Sequence, residues 1–181
     1  ALEQIYLQRG ATRDIVEMLE RKVATRGEPS ELNPTRNKLA GMYMNQLGDL
    51  ERAGGLYRDA LASDPNNLTA LRGLKLVYQQ TLDWPRLQQL LEQELEIVQT
   101  ERERVQVLLQ LAANLEDHFI KPDLAAQRLE HALEIDPHCD DAYRAAERCY
   151  AKLRRWHDLV GAQDRHINSS TDDNVRVEIY Q

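Results

Sequence analysis

At 181 residues the chain is long enough for one or two domains, and its 30 Asp and Glu against 23 Lys and Arg give a formal net charge of −7. This acidic balance argues against a nucleic-acid surface, because phosphate binding needs a concentrated excess of Lys and Arg. Leu, Ala, Glu, Gln and Arg dominate while Gly numbers only 8 and Phe only 1, which predicts an all-α protein, since the abundant residues are good helix formers.

Helices are predicted along the whole chain from apolar residues spaced i, i+3, i+4 and i+7, the pattern of a helix with one buried face. Leu108, Leu111 and Leu115 follow this spacing in the centre of the sequence. Polar turns separate the helices, and Pro65 and Pro137 each follow an Asp that ends one helix shortly before the next begins. The predicted helices are 12–25, 34–46, 50–62, 67–80, 84–99, 101–118, 122–135, 140–153 and 156–167, with partial helices at both ends and polar connections at 26–34 and 168–174.

The sequence repeats itself without gaps at a period of 72 residues. The identical pairs fall mostly on apolar or helix-breaking positions, which indicates stacked structural repeats. Between residues 39–87 and 111–159 they are Leu39 with Leu111, Ala40 with Ala112, Ala53 with Ala125, Ala60 with Ala132, Leu61 with Leu133, Asp64 with Asp136, Pro65 with Pro137, Ala70 with Ala142, Arg72 with Arg144, Tyr78 with Tyr150, Trp84 with Trp156 and Leu87 with Leu159. The amino end joins this register at Tyr6, and a new helix begins in register at about Asn174. We therefore expect both ends to interrupt a longer array.

Ala40, Ala53, Ala60 and Pro65 follow a spacing that resembles the tetratricopeptide repeat (TPR), in which small residues lie where two helices cross and Pro follows the second helix. The segment 111–137 matches again. The resemblance implies a right-handed superhelical solenoid of antiparallel helix hairpins, each of about 35 residues, with two hairpins per period. It implies a single TPR-like array over 1–181, truncated at both ends. The expected hairpins are 1–25, 34–62, 67–99, 101–135 and 140–167, followed by a helix from about 174.

The alternate hairpins depart from the TPR pattern. They carry Leu87 and Leu159 where the family has a small residue, and Trp84 and Trp156 near the start of the same helices. Because both Trp residues recur with the repeat, we predict that they pack between repeats rather than anchoring a partner. Pentatricopeptide repeats share the length and bind RNA, but the acidic charge and the Asp-Pro helix ends disfavour that family.

No motif of catalysis or cofactor binding is present, because the sequence lacks a Gly-rich phosphate loop, a nucleophile motif and closely paired metal ligands. The only cluster of potential nitrogen and sulfur ligands for zinc in the sequence comprises His131, His138, Cys139 and Cys149. A zinc site needs pairs of ligands that lie closer together in the sequence. Two cysteines are too few for a disulfide framework, and free thiols favour a reducing compartment, the cytoplasm. No apolar run approaches the roughly 20 residues of a membrane helix. We therefore predict no catalytic residue, cofactor, metal, nucleic acid or membrane insertion.

Arg72 and Arg144 are polar and nevertheless recur in the repeat. In a TPR-like array the first helix of each hairpin lines a concave groove, which would place both side chains on the groove wall, with Arg148 one turn further along. Two interpretations stay open: the arginines pair with groove carboxylates such as Glu116 and hold adjacent hairpins together, or they bind acidic groups of a peptide. The Lys, Asn and Arg set of chaperone-binding family members is not found in register, which disfavours a chaperone tail.

The sequence thus predicts a non-catalytic scaffold or adaptor that binds a protein segment on its concave groove, since stacked hairpins present extended concave surfaces. The alternative is a structural, self-assembling spacer within a larger multidomain protein. Interrupted ends would expose apolar faces near Leu2, Ile5, Val177 and Tyr180, so we also expect self-association at high concentration.

Overall fold

A computed structural model describes residues 2–25 and 27–169 of the chain. All regular elements in these residues are helical, which confirms the predicted all-α class. They are α1 Leu2–Ala24, α2 Pro29–Met42, α3 Leu50–Ser63, α4 Leu68–Gln80, α5 Trp84–Ile97, α6 Glu101–Asp117, α7 Pro122–Ile135, α8 Asp140–Leu153 and α9 Trp156–Ser169, with a π-helical turn, Tyr43–Leu47, continuing α2. None of these helices is both long and apolar enough to cross a lipid bilayer.

The chain divides into two compact units, residues 1–87 and 88–181. In the first unit α1 packs against α2, α2 against α3 and α3 against α4, and α2 also contacts α4. In the second unit α6 packs against α7, α7 against α8 and α8 against α9, and α6 also contacts α8. Short connections make consecutive packed helices antiparallel, as the hairpin prediction requires. That the two units continue one array stays a prediction.

The prediction of a helix hairpin at the amino end is wrong. We expected two helices over 1–25, but the structure has one helix, α1. The segment contains no Pro and no cluster of turn residues that would end a helix. Its single glycine, Gly10, costs about 1 kcal/mol in a helix interior but does not interrupt it.

The start of α2 also differs from the prediction, because the helix begins at Pro29 rather than at about residue 34. Most of the predicted polar connection over 26–34 is therefore helical. Proline is well accepted at the first helical position, where its missing N–H would have no intrahelical partner. Leu32 and Thr35 are buried, so tertiary packing holds this added turn in place.

Several predictions concern parts of the chain that the structure does not describe. The helix predicted from about 174 lies outside the described residues, as do Val177 and Tyr180. The side chains of Leu2 and Ile5 are likewise not described. The apolar faces predicted at the two ends therefore stay predictions.

Alanines lie at the helix crossings of both units, which confirms the packing role predicted for them. Their exposed fractions lie between 0% and 2%, which allows the paired helices to approach closely. They are Ala40, Ala53 and Ala60 in the first unit and Ala112, Ala125 and Ala132 in the second. In the second unit Leu108, Leu111 and Leu129 are fully buried as well.

Trp156 does not pack between repeats in the described part of the chain, contrary to the prediction made for both Trp residues. Its side chain is 59% exposed, and Val160, one turn further along α9, is 56% exposed. This face of α9 is therefore not covered by the described residues. Trp84 is partly buried.

The loops that follow α2, α4, α6 and α8 each contain one residue in the left-handed region of backbone conformation. Gly48, Leu82, Ile120 and Arg154 have φ values of 68°, 56°, 54° and 57°. Only the glycine adopts this conformation without steric cost, because it has no Cβ. The other three residues each incur about 1–2 kcal/mol there.

The backbone hydrogen bonds across these loops are of two kinds, which differ in the sequence separation between the N–H donor and the carbonyl acceptor. The wider kind spans six residues and the tighter kind spans five. The wider bonds run from Asp49 N–H to Tyr43 O and from Lys121 N–H to Leu115 O, and the tighter ones from Asp83 N–H to Tyr78 O and from Arg155 N–H to Tyr150 O, all at 2.9–3.0 Å. Because the two kinds alternate, the structural period is two hairpins, in agreement with the 72-residue repeat.

Replacing Ile120 by Gly should raise the free energy of unfolding by about 0.5–1 kcal/mol, because relief of the left-handed backbone exceeds the entropy that glycine loses on folding. Little packing is lost, since Ile120 is 82% exposed. The matched control is Gly48→Ala, whose added Cβ meets nothing within 4 Å and should lower stability by about 1 kcal/mol. Urea unfolding of both variants tests the prediction, and a destabilised Ile120→Gly variant would contradict it.

Candidate protein-binding site

Glu116 lies at the junction of α6 and α8 in the second unit. It follows Leu108 and Ala112 at steps of four residues, and side chains at this spacing share one helix face. That face is buried, so the carboxylate is turned inward, and its side chain is only 5% exposed. A carboxylate removed from water in this way needs a cationic or hydrogen-bonding partner.

Two cations of α8 satisfy this carboxylate. Lys152 Nζ donates a hydrogen bond to Glu116 Oε1 at 2.6 Å, and Arg148 Nη2 lies 3.7 Å from Glu116 Oε2. The hydrogen bond to Glu116 raises the pKa of the Lys152 ammonium group. The side chains of Lys152 and Arg148 remain 55% and 60% exposed, so their other donors stay accessible from solvent.

Arg144 extends this arrangement by one more turn of α8. Arg144, Arg148 and Lys152 follow one another at intervals of four residues, so each lies about 6 Å along the helix axis from the next. We call these three residues the α8 basic face. Arg144 is exposed, like the other two. The negative charge of Asp117, at the end of α6, interacts with Lys152 and offsets part of the positive charge of the α8 basic face.

Cys149 lies beside this face and is fully buried. Burial in apolar surroundings, and then the nearby charge of Glu116, raises the pKa of its thiol to about 11. The thiol is therefore protonated at neutral pH, and the protonated form is a poor nucleophile. This agrees with a core role for Cys149.

At neutral pH an alkylating reagent should react measurably with Cys139, which is partly exposed, and only very slowly with Cys149. The physical reason is that Cys149 combines complete burial with a pKa far above the reaction pH. Mass spectrometry after timed iodoacetamide treatment gives both rates. A Cys139→Ser variant isolates Cys149, which should react readily once urea is added, and equal native rates would contradict the prediction.

The structure brings together two of the four predicted site residues, Glu116 and Arg148. Arg144 lies on the same helix as Arg148, and Arg72 lies exposed on α4 in the first unit. Glu116 and Arg148 thus form an ion pair between α6 and α8. Whether any of the four contacts a partner stays a prediction.

Sequence reasoning missed Lys152, which makes the shortest contact with Glu116. The 72-residue register contains a usable signal, because three uncharged residues of one copy become charged together in the other. Met44 aligns with Glu116, Leu76 with Arg148 and Gln80 with Lys152. Such a joint change of charge at three positions predicts mutual contact.

Comparison with known proteins identifies the fold. No protein-family model matches the sequence, and a search of curated proteins finds no significant match. Among solved structures, MamA AMB-1 has 18% sequence identity over 94% of this chain and 90% of its own, with a TM-score of 0.65. Pseudomonas aeruginosa pilF has 20% identity over 95% of this chain and 75% of its own, with a TM-score of 0.57.

A further crystal structure of MamA has 16% identity, covers 89% of this chain and 87% of its own, and has a TM-score of 0.64. MamA and pilF are TPR-like helical repeat proteins. The chain is therefore a divergent protein with a TPR-like repeat fold, which confirms the predicted resemblance. At these identities the likeness establishes the fold alone.

Proposed function

We propose that the chain is a protein-interaction scaffold, and that the α8 basic face binds an acidic segment of a protein partner. The observation that carries this proposal is the buried Glu116 carboxylate with its two partly exposed cations. The TPR-like fold supports it as well, because stacked helix pairs present extended surfaces to partner segments.

The geometry of α8 suits a carboxylate-bearing partner. Glu116 restrains Lys152 and Arg148, so less side-chain entropy is lost when a ligand binds them. A guanidinium group can hold a carboxylate by two parallel hydrogen bonds, and charge-assisted bonds contribute about 1.5–3 kcal/mol each. Arg72, which recurs as Arg144, has the corresponding role on α4 in this proposal.

Replacing Arg72 and Arg144 together by Glu should weaken capture of native partners at least tenfold, which corresponds to about 1.4 kcal/mol. This variant leaves the contacts of Glu116 with Arg148 and Lys152 intact. Affinity capture from a native lysate, quantified by mass spectrometry, measures the effect, while circular dichroism gives the melting temperature.

The matched control is Arg102→Glu with Arg104→Glu, which makes the same change of charge on exposed residues of α6. This control should retain the partners. A double variant of Arg72 and Arg144 that melts several degrees lower and yet keeps its partners would assign these arginines to the scaffold and contradict the proposal.

The alternative of a self-assembling spacer draws support from one observation, the apolar face of α9 at Trp156 and Val160, which the described part of the chain leaves exposed. In that case the chain should associate with itself through this face, and Val160→Lys should reduce the association. Sedimentation over a range of concentrations tests it, and a strict monomer throughout would contradict it.

A further inference from the structure

Three tyrosines, Tyr43, Tyr78 and Tyr150, occupy equivalent positions in the repeat, near the ends of α2, α4 and α8. Tyr43 precedes Tyr78 by 35 residues, and Tyr150 follows it by 72. All three side chains are buried, with exposed fractions between 1% and 7%. The hydrogen bonds of their hydroxyl groups can therefore be compared directly.

Tyr43 and Tyr150 each donate a hydrogen bond to a glutamate of the preceding helix. Tyr43 Oη donates to Glu20 of α1, and Tyr150 Oη donates to Glu130 of α7. Buried polar groups in folded proteins are generally hydrogen-bonded, and these two carboxylates meet that requirement. A glutamate from the chain itself thus completes two of the three tyrosine positions.

Tyr78 lacks this acceptor, because Arg58 stands where the second copy has Glu130. A guanidinium group donates hydrogen bonds and accepts none. Among the described residues, neither the Tyr78 hydroxyl nor the Arg58 guanidinium has a hydrogen bond or an ion pair. The enclosed side-chain atoms without a partner are Asn37 Oδ1 and Asn114 Oδ1, so the Tyr78 hydroxyl is not enclosed.

Tyr78 and Arg58 line one cavity of about 330 Å³ between α3 and α4 in the first unit. Ligand sites typically have volumes of roughly 300–1,000 Å³. Arg58 Nη1 lies 3.4 Å from the position of a Cβ on Gly54, and Val77 Cγ1 lies 3.3 Å from the same position. The guanidinium group is therefore folded back along α3 to the contact with α4, beside the residue that precedes Tyr78.

The other charged residues of this cavity do not pair with Arg58. Asp83 and Arg86 pair with each other, since Arg86 Nη1 donates to Asp83 Oδ2 at 3.0 Å. Glu51 also lines the cavity, but it forms no ion pair with Arg58 in the part of the chain that the structure describes. The cavity thus contains two hydrogen-bond donors that share one missing acceptor.

We propose that this cavity binds the side-chain carboxylate of a glutamate from a partner protein. This carboxylate takes the place of the internal glutamates beside the other two tyrosines. Its two oxygens can accept hydrogen bonds from the Tyr78 hydroxyl and the Arg58 guanidinium together. The site shares no residue with the α8 basic face or with Arg72, so either proposal can fail without the other.

The test is a titration of the isotope-labelled chain with acetyl-glutamate-N-methylamide, followed by the Arg58 Nε–Hε and Tyr78 ring resonances. Both resonances should show saturable shifts. The uncharged acetyl-glutamine-N-methylamide has nearly the same shape and should bind at least tenfold more weakly, because charge-assisted hydrogen bonds are about twice as strong as neutral ones. Low ionic strength suits the measurement, since salt screens exposed charges.

Arg58→Glu supplies the acceptor from within, as in the second copy, and should abolish the response of Tyr78. Arg58→Gln should weaken binding, whereas Arg13→Gln, the same change at an exposed residue of α1 outside the cavity, should not. The two compounds decide the matter on the unaltered chain even if a variant does not fold. Equal affinities for both compounds, or no saturable shift up to the solubility limit of the first, would overturn the proposal.

Discussion

Replacing Gly73 by Ala should lower the free energy of unfolding by about 1–3 kcal/mol, because the added methyl group overpacks the contact between α4 and α3. A Cβ built on Gly73 would lie 2.2 Å from Cζ of Tyr57, far inside contact distance. The ring has little room to withdraw, since Tyr57 is 4% exposed and its hydroxyl oxygen also lies 3.7 Å from the Cβ position of Gly41. Urea unfolding followed by circular dichroism measures the loss.

The second copy of the repeat contains the substitution that should compensate for Gly73→Ala. The second unit has Leu129 where the first has Tyr57, and Ala145 where the first has Gly73. A side chain smaller than Tyr thus accompanies one larger than Gly. Tyr57→Leu should therefore restore much of the stability lost in Gly73→Ala, and the two effects should be clearly non-additive. The control is Gly55→Ala, which meets nothing within 4 Å and should be neutral or stabilising. A Gly73→Ala variant as stable as Gly55→Ala would contradict the prediction, because the Tyr57 ring would then yield to the added methyl group.

Replacing His166 by Ala should destabilise the second unit by about 2–4 kcal/mol, because the change combines a cavity with the loss of polar partners. The imidazole is 1% exposed and stacks on Tyr143, with ring centroids 4.8 Å apart. Its Nδ1 lies 3.1 Å from Glu147 Oε1 and its Nε2 lies 3.3 Å from Asp140 Oδ1. One buried ring thus contacts three residues of α8 and holds α9 in place.

His166→Phe separates the two contributions, since it keeps an aromatic ring on Tyr143 and removes both polar contacts. It should cost about 1–2 kcal/mol, chiefly because Glu147, whose side chain is 18% exposed, loses its partner. Asp140→Asn should matter less, because water reaches that side chain. Trp156 fluorescence in a Trp84→Phe background reports unfolding at the start of α9. A His166→Ala variant within about 0.5 kcal/mol of the parent would show that the ring does not hold the two helices together.

Local patterns in the sequence determined most of the helical framework. Pro65 and Pro137 end helices because proline lacks a backbone donor and restricts the residue before it. The small residues at Ala60 and Ala132 are buried as predicted, since a periodic helix face is encoded residue by residue. The repeat register was misleading at the amino end, where no turn residue interrupts α1 and where Pro29 begins a helix inside the predicted polar connection.

The candidate sites depend far more on tertiary structure. Helical periodicity predicts which face of α6 carries Glu116, but it does not predict that Lys152 of α8 makes the shortest contact with that carboxylate. The same limit applies to His166, which nothing in its own helix marks as buried, and to the unsatisfied oxygen of Asn37. The contacts of Glu116, His166 and Asn37 join side chains 19 to 36 residues apart in the sequence. The sequence therefore determined the helices, their breaks and their repeat, because these follow from neighbouring residues, whereas only the tertiary structure decided which polar groups meet, because that depends on how the helices pack.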